Sequence, residues 1–375
     1  MRIGVPREIK THEYRVGLVP AGVRELVHHG HELVVESRAG HGIGFDDADY
    51  ESAGATVLPD AAAIFETAEL IVKVKEPQPS EVAMLRAGQM LFTYLHLAAD
   101  ADQARGLMAA GCTAIAYETV TDPAGRLPLL APMSEVAGRM AVQVGAHCLE
   151  REQGGRGLLL GGVPGVAAAD VVVLGGGVVG TNAARMAMGL EARVTVLDRS
   201  LPRLFELDMQ FGPTLNTIFA TVDSIEAHVA AADLLICAVL VPGASTPRLV
   251  TEDMVRAMKR GAAIVDVAID QGGCCETSRP TTHADPTYMA HEVVHYCVTN
   301  MPGAVARTAT MALNNATLPY VLALADKGRA ALAADPHLRA GLNVDGGRIT
   351  HPAVAQALGL DHVPAETALA ETGAS

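Results

Sequence analysis

The sequence predicts an α/β protein of two domains, each a parallel sheet with helices on both faces, the first domain interrupted by the second. Three observations carry this. Short apolar strand-like runs alternate with helix-like segments through residues 1–130, the pattern of a parallel sheet joined by crossovers. A second series of strand-like runs opens at Val171 with a glycine-rich turn. Beyond Pro302 the chain returns to alanine-rich helical sequence. Helices that follow a completed sheet must bury an apolar face somewhere, and packing back on the first domain satisfies them.

In the first domain the strand-like runs fall at residues 2–5, 32–35, 70–74, 90–95 and 113–117, with helix-like segments between them, as at 21–29 and 101–110. A long Ala/Val/Met helix follows at 134–152, with Ser134 as its N-cap and Glu135 in its first turn. A glycine-rich linker, 154–165, leads into the second domain.

Residues 171–198 read VVVLGGGVVGTNAARMAMGLEARVTVLD. The β-branched run 171–174 is a buried strand, and Gly175, Gly177 and Gly180 supply G-x-G-x-x-G where the spacing becomes helical. Gly175 permits the tight turn, Gly177 lets a pyrophosphate approach the backbone, and Gly180 lets helix and strand pack closely. The next strand, 193–197, closes on Asp198, placed to accept hydrogen bonds from ribose hydroxyls and to repel a 2′-phosphate. Strand, turn, helix, strand and acid together predict a Rossmann-like dinucleotide domain that prefers NAD to NADP. Further strands at 217–220, 234–240, 263–268 and 296–299 bring the number to six. The expected domains are residues 1–130 with 305–375, for the substrate, and 131–304, for the dinucleotide; a polar, irregular tail follows the helix at 308–331.

Composition narrows the partners. A net charge of −14 argues against nucleic acid and anionic membrane surfaces, and without tryptophan no base-stacking platform is evident. The N-terminus has no apolar signal core and no run spans a membrane, so a cytoplasmic protein is expected. Of the six cysteines, most fall in apolar patterns and read as small hydrophobes; adjacent Cys274 and Cys275 lack an activating pattern for redox work.

Ligands of a parallel sheet bind at the carboxyl ends of its strands. Lys75 follows the run at 70–74, His96 the run at 90–95, and Asp270 the run at 263–268; Arg15 lies in the loop after the first strand, and Glu118 closes the fifth. Each alone has an ordinary structural reading. A loop Arg or Lys is usually solvated, a histidine after an apolar strand is usually a satisfied core group, an aspartate caps a turn, and Glu118 reads as a structural hydrogen-bond partner. Together, facing one cleft, they suit a small keto or amino acid. One decoy is HEVVH, His291 to His295, which matches the zinc-protease pattern. That pattern works on a helix. Here adjacent valines run into a strand, which sets the two imidazoles roughly 13 Å apart at ~3.3 Å per residue, so no metal is expected there.

The segments GVPREIKTHEYRVGLVPAGV, KVKEP, TYLHLAA, AYETV, LPLLAPMSEVAGRMA, GGVPGV, VVVLGGGVVGTNAARMA, VLVPGA, IDQGGC, SRPTT, CVTNMPG and NATLPYVL together resemble NAD-dependent alanine dehydrogenases, from Gly4 to about Leu322. The resemblance implies reversible oxidative deamination of L-alanine to pyruvate and ammonia, with Arg15 and Lys75 binding substrate and His96 and Asp270 catalytic. Its cofactor residues carry over to Ser134, Val178, Asp198, Arg203, Val239, Leu240, Val267, Ala268, Ile269, Asp270, Arg279, Val298, Thr299, Asn300 and Met301. It also implies a homohexamer. This chain departs from the family pattern at His12, Val19 and Ala220, and has Ala323 and Lys327 where some relatives bind a metal, so no metal is expected there either. The soluble, NAD(H)-binding part of proton-translocating transhydrogenase shares this fold and much of the N-terminal pattern but lacks the lysine and histidine at these strand ends. A saccharopine-type dehydrogenase is a more distant alternative. With Lys75 and His96 in one domain and Asp270 in the other, catalytic geometry is expected to form on domain closure.

Overall fold

The computed structural model describes residues 1–239 and 246–372. They form two compact units: Met1–Met133 together with the chain from Val305 onward, and Ser134–Ala304.

The first unit begins with β1 (Arg2–Val5), β2 (Glu32–Glu36), β3 (Thr56–Leu58), β4 (Leu70–Val72), β5 (Met90–Thr93) and β6 (Thr113–Ala116), all parallel, in the order β6-β5-β4-β1-β2-β3. Strands covered on both faces need no polar face, and Leu70, Ile71 and Val72 are wholly buried. The chain winds outward from β1 to β3, then returns to place β4 on the other side of β1. The carboxyl ends of β1 and β4 therefore form a topological switch point, the place where open α/β sheets bind ligands.

The second unit contains β7 (Asp170–Leu174), β8 (Arg193–Asp198), β9 (Leu215–Phe219), β10 (Leu234–Cys237), β11 (Ala263–Asp266), β12 (Thr287–Ala290) and β13 (Val293–Tyr296), ordered β12-β13-β11-β10-β7-β8-β9. Six strands are parallel, as the sequence predicts, and β12 is antiparallel to β13. Its switch point lies between β7 and β10. The last parallel strand corrects the expectation of a strand at 296–299. It begins three residues earlier, because His291 and Glu292 adopt left-handed conformations, φ 50° and 60°, and turn a hairpin that β12 pairs.

The first sheet is completed from the far end of the chain. β14 (Leu342–Asp345) pairs antiparallel with β6, and β15 (Arg348–Ile349) pairs with β14 across Gly346 and Gly347, both at positive φ. Residues beyond 331 are thus not an irregular tail. Their strands are short, and their pairing partner lies over 200 residues away. The helix Ala306–Lys327 docks on the same unit: Asn314 Oδ1 accepts the Val19 amide at 3.1 Å, and Thr310 Oγ1 accepts the Val16 amide at 3.4 Å. No helix among the described residues is long and apolar enough to cross a membrane.

Candidate active site

The glycines of the turn after β7 have three distinct environments. Gly175 has φ 96°, and a Cβ there would meet the Ala238 carbonyl at 2.9 Å. At Gly180 a Cβ would stand 1.8 Å from the Gly175 carbonyl oxygen, so the helix Val178–Gly189 lies against the turn as only glycine permits. At Gly177 a Cβ would meet nothing within 4 Å. Nothing among the described residues excludes a side chain there. The open space in front of Gly177 fits a group bound against the backbone, at a helix N-terminus that no side chain caps. The residues present therefore fit a dinucleotide pyrophosphate.

Asp198, at the end of β8, accepts the Gly176 amide on Oδ2 at 2.7 Å and the Ser200 amide on Oδ1 at 2.8 Å. These bonds fix the carboxylate beside the turn. Arg203 donates to the Gly176 carbonyl at 2.6 Å, to Thr181 Oγ1 at 2.6 Å and to Glu206 at 2.5 Å. Its guanidinium is thus a brace of the same turn. Ser134 is not an N-cap: the helix Ala131–Cys148 starts three residues earlier, with Pro132 at its second position, and Ser134 is half-buried in its first turn. Val178 is exposed at the start of the helix after the turn. Val239 follows β10, and Leu240 lies outside the described residues.

After β11 the chain forms a 3₁₀ turn, Val267–Gln271, which holds Val267, Ala268, buried Ile269 and exposed Asp270. Asp266 caps this turn, its carboxylate accepting from the amides of Ala268, Cys274 and Cys275. Arg279 lies 4.1 Å over the ring of Tyr288. Beyond β13, Val298 and Met301 are buried, Thr299 is exposed, and the Asn300 carbonyl accepts from His283.

In the first unit, Arg15, Lys75, His96 and Glu118 stand after β1, β4, β5 and β6, four neighbouring parallel strands. Arg15 is buried and makes a two-point ion pair with Glu13, at 2.7 and 2.6 Å, while its third nitrogen approaches Met133 Sδ at 3.1 Å. Lys75 is held through its backbone: Glu8 Oε1 accepts its amide at 3.3 Å, and Thr93 Oγ1 donates to its carbonyl at 2.9 Å. His96 is half-exposed and left-handed, φ 52°. Non-glycine residues adopt that conformation at a cost, met here by Glu118, which accepts the amides of Leu95 and His96 at 3.2 and 2.6 Å. The imidazole stacks on Tyr94 at 5.9 Å, and Tyr94 Oη donates to the Leu129 carbonyl at 2.6 Å. Glu8, Glu13, Thr93, Tyr94 and Met133 escape a reading of strand ends, because their role depends on contacts that spacing does not encode. Glu13, two residues before Arg15, is the one with a local signal.

HEVVH is a hairpin. His291 sits in its turn, and His295 is buried in β13, with Nδ1 3.0 Å from the Val293 carbonyl and Nε2 2.8 Å from Thr277 Oγ1. All six cysteines are buried and free. Cys237, Cys275 and Asp266 present ligand atoms within 4.8 Å of one another. The two thiols and Cys274 belong to the apolar core, and hydrogen bonding to Cys274 and Cys275, with burial, holds the Cys237 thiol well above its ordinary pKa. Such thiols pack as hydrophobes and are poor nucleophiles.

Two doubly wound units, one with a dinucleotide turn and one with Arg, Lys and His on adjacent strand ends, define a Rossmann-like nicotinamide-dinucleotide dehydrogenase architecture. Residues 4–137 match the family described as alanine dehydrogenase/PNT, N-terminal domain, and residues 141–352 its C-terminal domain. The chain belongs to the alanine dehydrogenase/PNT family. It is 63% identical to the alanine dehydrogenase of Halomonas elongata, over 97% of this chain and 99% of that protein. A solved L-alanine dehydrogenase superposes with a TM-score of 0.94 at 55% identity, covering 96% of this chain and 99% of the other. A transhydrogenase from Sinorhizobium meliloti gives 0.82 at 26% identity, covering 94% and 100%.

Proposed function

We propose that the chain catalyses the reversible reaction of L-alanine, NAD⁺ and water to pyruvate, ammonium, NADH and a proton. The observation that carries this reading is the near-full-length likeness to alanine dehydrogenases in a chain that keeps Lys75 and His96 on adjacent strand ends. When bound, the nicotinamide ring supplies the hydride acceptor. Arg15 and Lys75 hold the substrate carboxylate and carbonyl oxygen as cations. His96 takes or returns the proton at the substrate nitrogen or oxygen, a task suited to imidazole near neutral pH. Asp270 accepts hydrogen bonds from the attacking ammonia or water and orients it. The substrate residues lie in the first unit, residues 1–133 with 305–375, and the cofactor residues in the second, residues 134–304.

Asp198 supports NAD over NADP. Its carboxylate is pinned where the ribose would lie, and Arg203 is bonded to the turn and to Glu206. A cytoplasmic homohexamer completes the reading. Leu201, Phe205 and Met209 recur every four residues along the helix Leu201–Phe211, each more than 60% exposed, an apolar stripe that a second copy of the chain would cover. Light scattering on the purified protein tests this, six chains per particle being expected and a monomer excluding it. The transhydrogenase-type alternative is a chain that binds NADH and turns nothing over. Assaying NADH formation with L-alanine against a panel of amino acids separates the two.

A further inference from the structure

We infer that Glu8 and Thr93 are positioning residues for Lys75, gripping its peptide from both sides at the switch point of the first sheet. β4 ends at Val72, and the Lys73 amide still bonds β5 at Phe92, so it is the Val74 and Lys75 amides that need other acceptors. Glu8 Oε1 accepts two of them, from Val74 at 2.7 Å and Lys75 at 3.3 Å. On the other side Thr93, wholly buried at the end of β5, donates to the Lys75 carbonyl at 2.9 Å.

Behind this grip is a buried ion knot. Lys73 is 0% exposed, with Nζ 3.2 Å from Glu8 and 2.6 Å from Glu81. Burial alone would lower its pKa; the two carboxylates hold it above the ordinary value. Its backbone is used as well, the amide donating to Phe92 at 3.1 Å and the carbonyl accepting from Tyr117 Oη at 2.9 Å. Two carboxylates and one ammonium, all buried, are a poor device for stability, since apolar residues of similar size are often as stabilising or more so. They are a good device for fixing position. Glu8 belongs to the loop after β1 that leads to Glu13 and Arg15. The same carboxylate that anchors this loop on Lys73 therefore also sets Lys75, and the two substrate cations acquire a fixed spacing.

The inference rests on the reading that Lys75 binds the substrate, and its test uses the full-length protein. Glu8→Ala removes the acceptor; Thr93→Val is isosteric and uncharged and removes only the other half of the grip. Both are expected to raise KM for pyruvate and lower kcat/KM by about 10- to 100-fold, the scale of a small misplacement, with NADH affinity unchanged. Glu8→Gln keeps a carbonyl oxygen for the two amides and recovers most of the loss. Glu81→Gln touches Lys73 but not the Lys75 peptide, so it lowers Tm without that rise in KM. Amide exchange read by mass spectrometry gives a signal independent of turnover: the Val74 and Lys75 amides exchange faster in Glu8→Ala.

An unchanged pyruvate KM in both Glu8→Ala and Thr93→Val overturns the inference, whatever happens to Tm. Should Glu8→Ala fail to fold, Thr93→Val decides alone. A parent chain that turns over neither alanine nor pyruvate refutes the proposed function instead, and the amide exchange of Val74 and Lys75 still decides whether Glu8 holds them.

Discussion

The two units present their proposed ligand-binding groups in opposite ways. In the second, the glycine turn and the acid that the proposed function assigns to the dinucleotide lie in one stretch of chain, from Gly175 to Asp198. The glycines act through backbone geometry and Asp198 through a carboxylate that accepts the Gly176 and Ser200 amides. In the first, Arg15, Lys75 and His96 come from three separate loops and depend on Glu13, Glu8, Thr93, Tyr94 and Glu118 for their placement. The glycines of the contiguous motif are fixed by steric exclusion, the dispersed side chains by carboxylates that use up backbone amides. The first kind tolerates no added atom where chain meets chain. The second tolerates changes of shape but not loss of an acceptor.

The largest effect tests the steric half. Gly180→Ala puts a methyl group 1.8 Å from a carbonyl oxygen. It is expected to destabilise the second unit by about 3 kcal/mol or more and to abolish NADH binding, read by calorimetry and by fluorescence titration. Next come the proposed catalytic residues, one in each unit. His96→Ala and Asp270→Asn are each expected to cut kcat by ~10²–10⁴-fold while NADH affinity stays at the parent value. A near-normal kcat in His96→Ala with only a raised KM for pyruvate would reduce His96 to a binding group.

Gly177→Ala sharpens the contrast within one motif. Its Cβ meets nothing within 4 Å among the described residues, so Tm should hold while NADH affinity drops by about tenfold, one or two kcal/mol. Full affinity would mean that no ligand backs onto Gly177. The smallest effect concerns acid stability. His295 is buried in β13, its Nδ1 donating to the Val293 carbonyl and its Nε2 facing the Thr277 hydroxyl. Burial holds its pKa below the ordinary 6.5. The unfolded chain then takes up a proton that the native state resists. This contribution to stability is complete above about pH 6.5 and is lost as pH falls from there through the depressed native value. His295→Gln should narrow the fall in Tm between about pH 7 and pH 5; an unchanged fall would show that other groups, such as half-buried His351, govern it.

Much of this was legible in the residues. β7, its glycine turn and β8 follow from spacing alone, because each position in that motif answers a local steric demand. The strand ends at Lys75 and His96 were legible as places, since apolar runs announce where a buried strand stops. What held them was not. Glu8 lies 67 positions from the amide of Lys75, and Glu118 lies 22 from His96; such pairings follow from strand order, which no periodicity encodes. The hairpin β12–β13 was hidden for another reason. Its turn uses His291 and Glu292 in left-handed conformations, where glycine, asparagine or aspartate is the usual signal. β14 and β15 were hidden by their brevity and by a partner, β6, far upstream.

Under the proposed function the first unit holds a small amino or keto acid for chemistry rather than merely accompanying a dinucleotide module. The most direct measurement is NADH oxidation by the purified full-length chain with pyruvate and ammonium, with the product identified by NMR. The proposed function predicts stoichiometric L-alanine, formed only when both pyruvate and ammonium are present and lost in Lys75→Met. Tight NADH binding with no alanine formed, under any combination of the two, would contradict it.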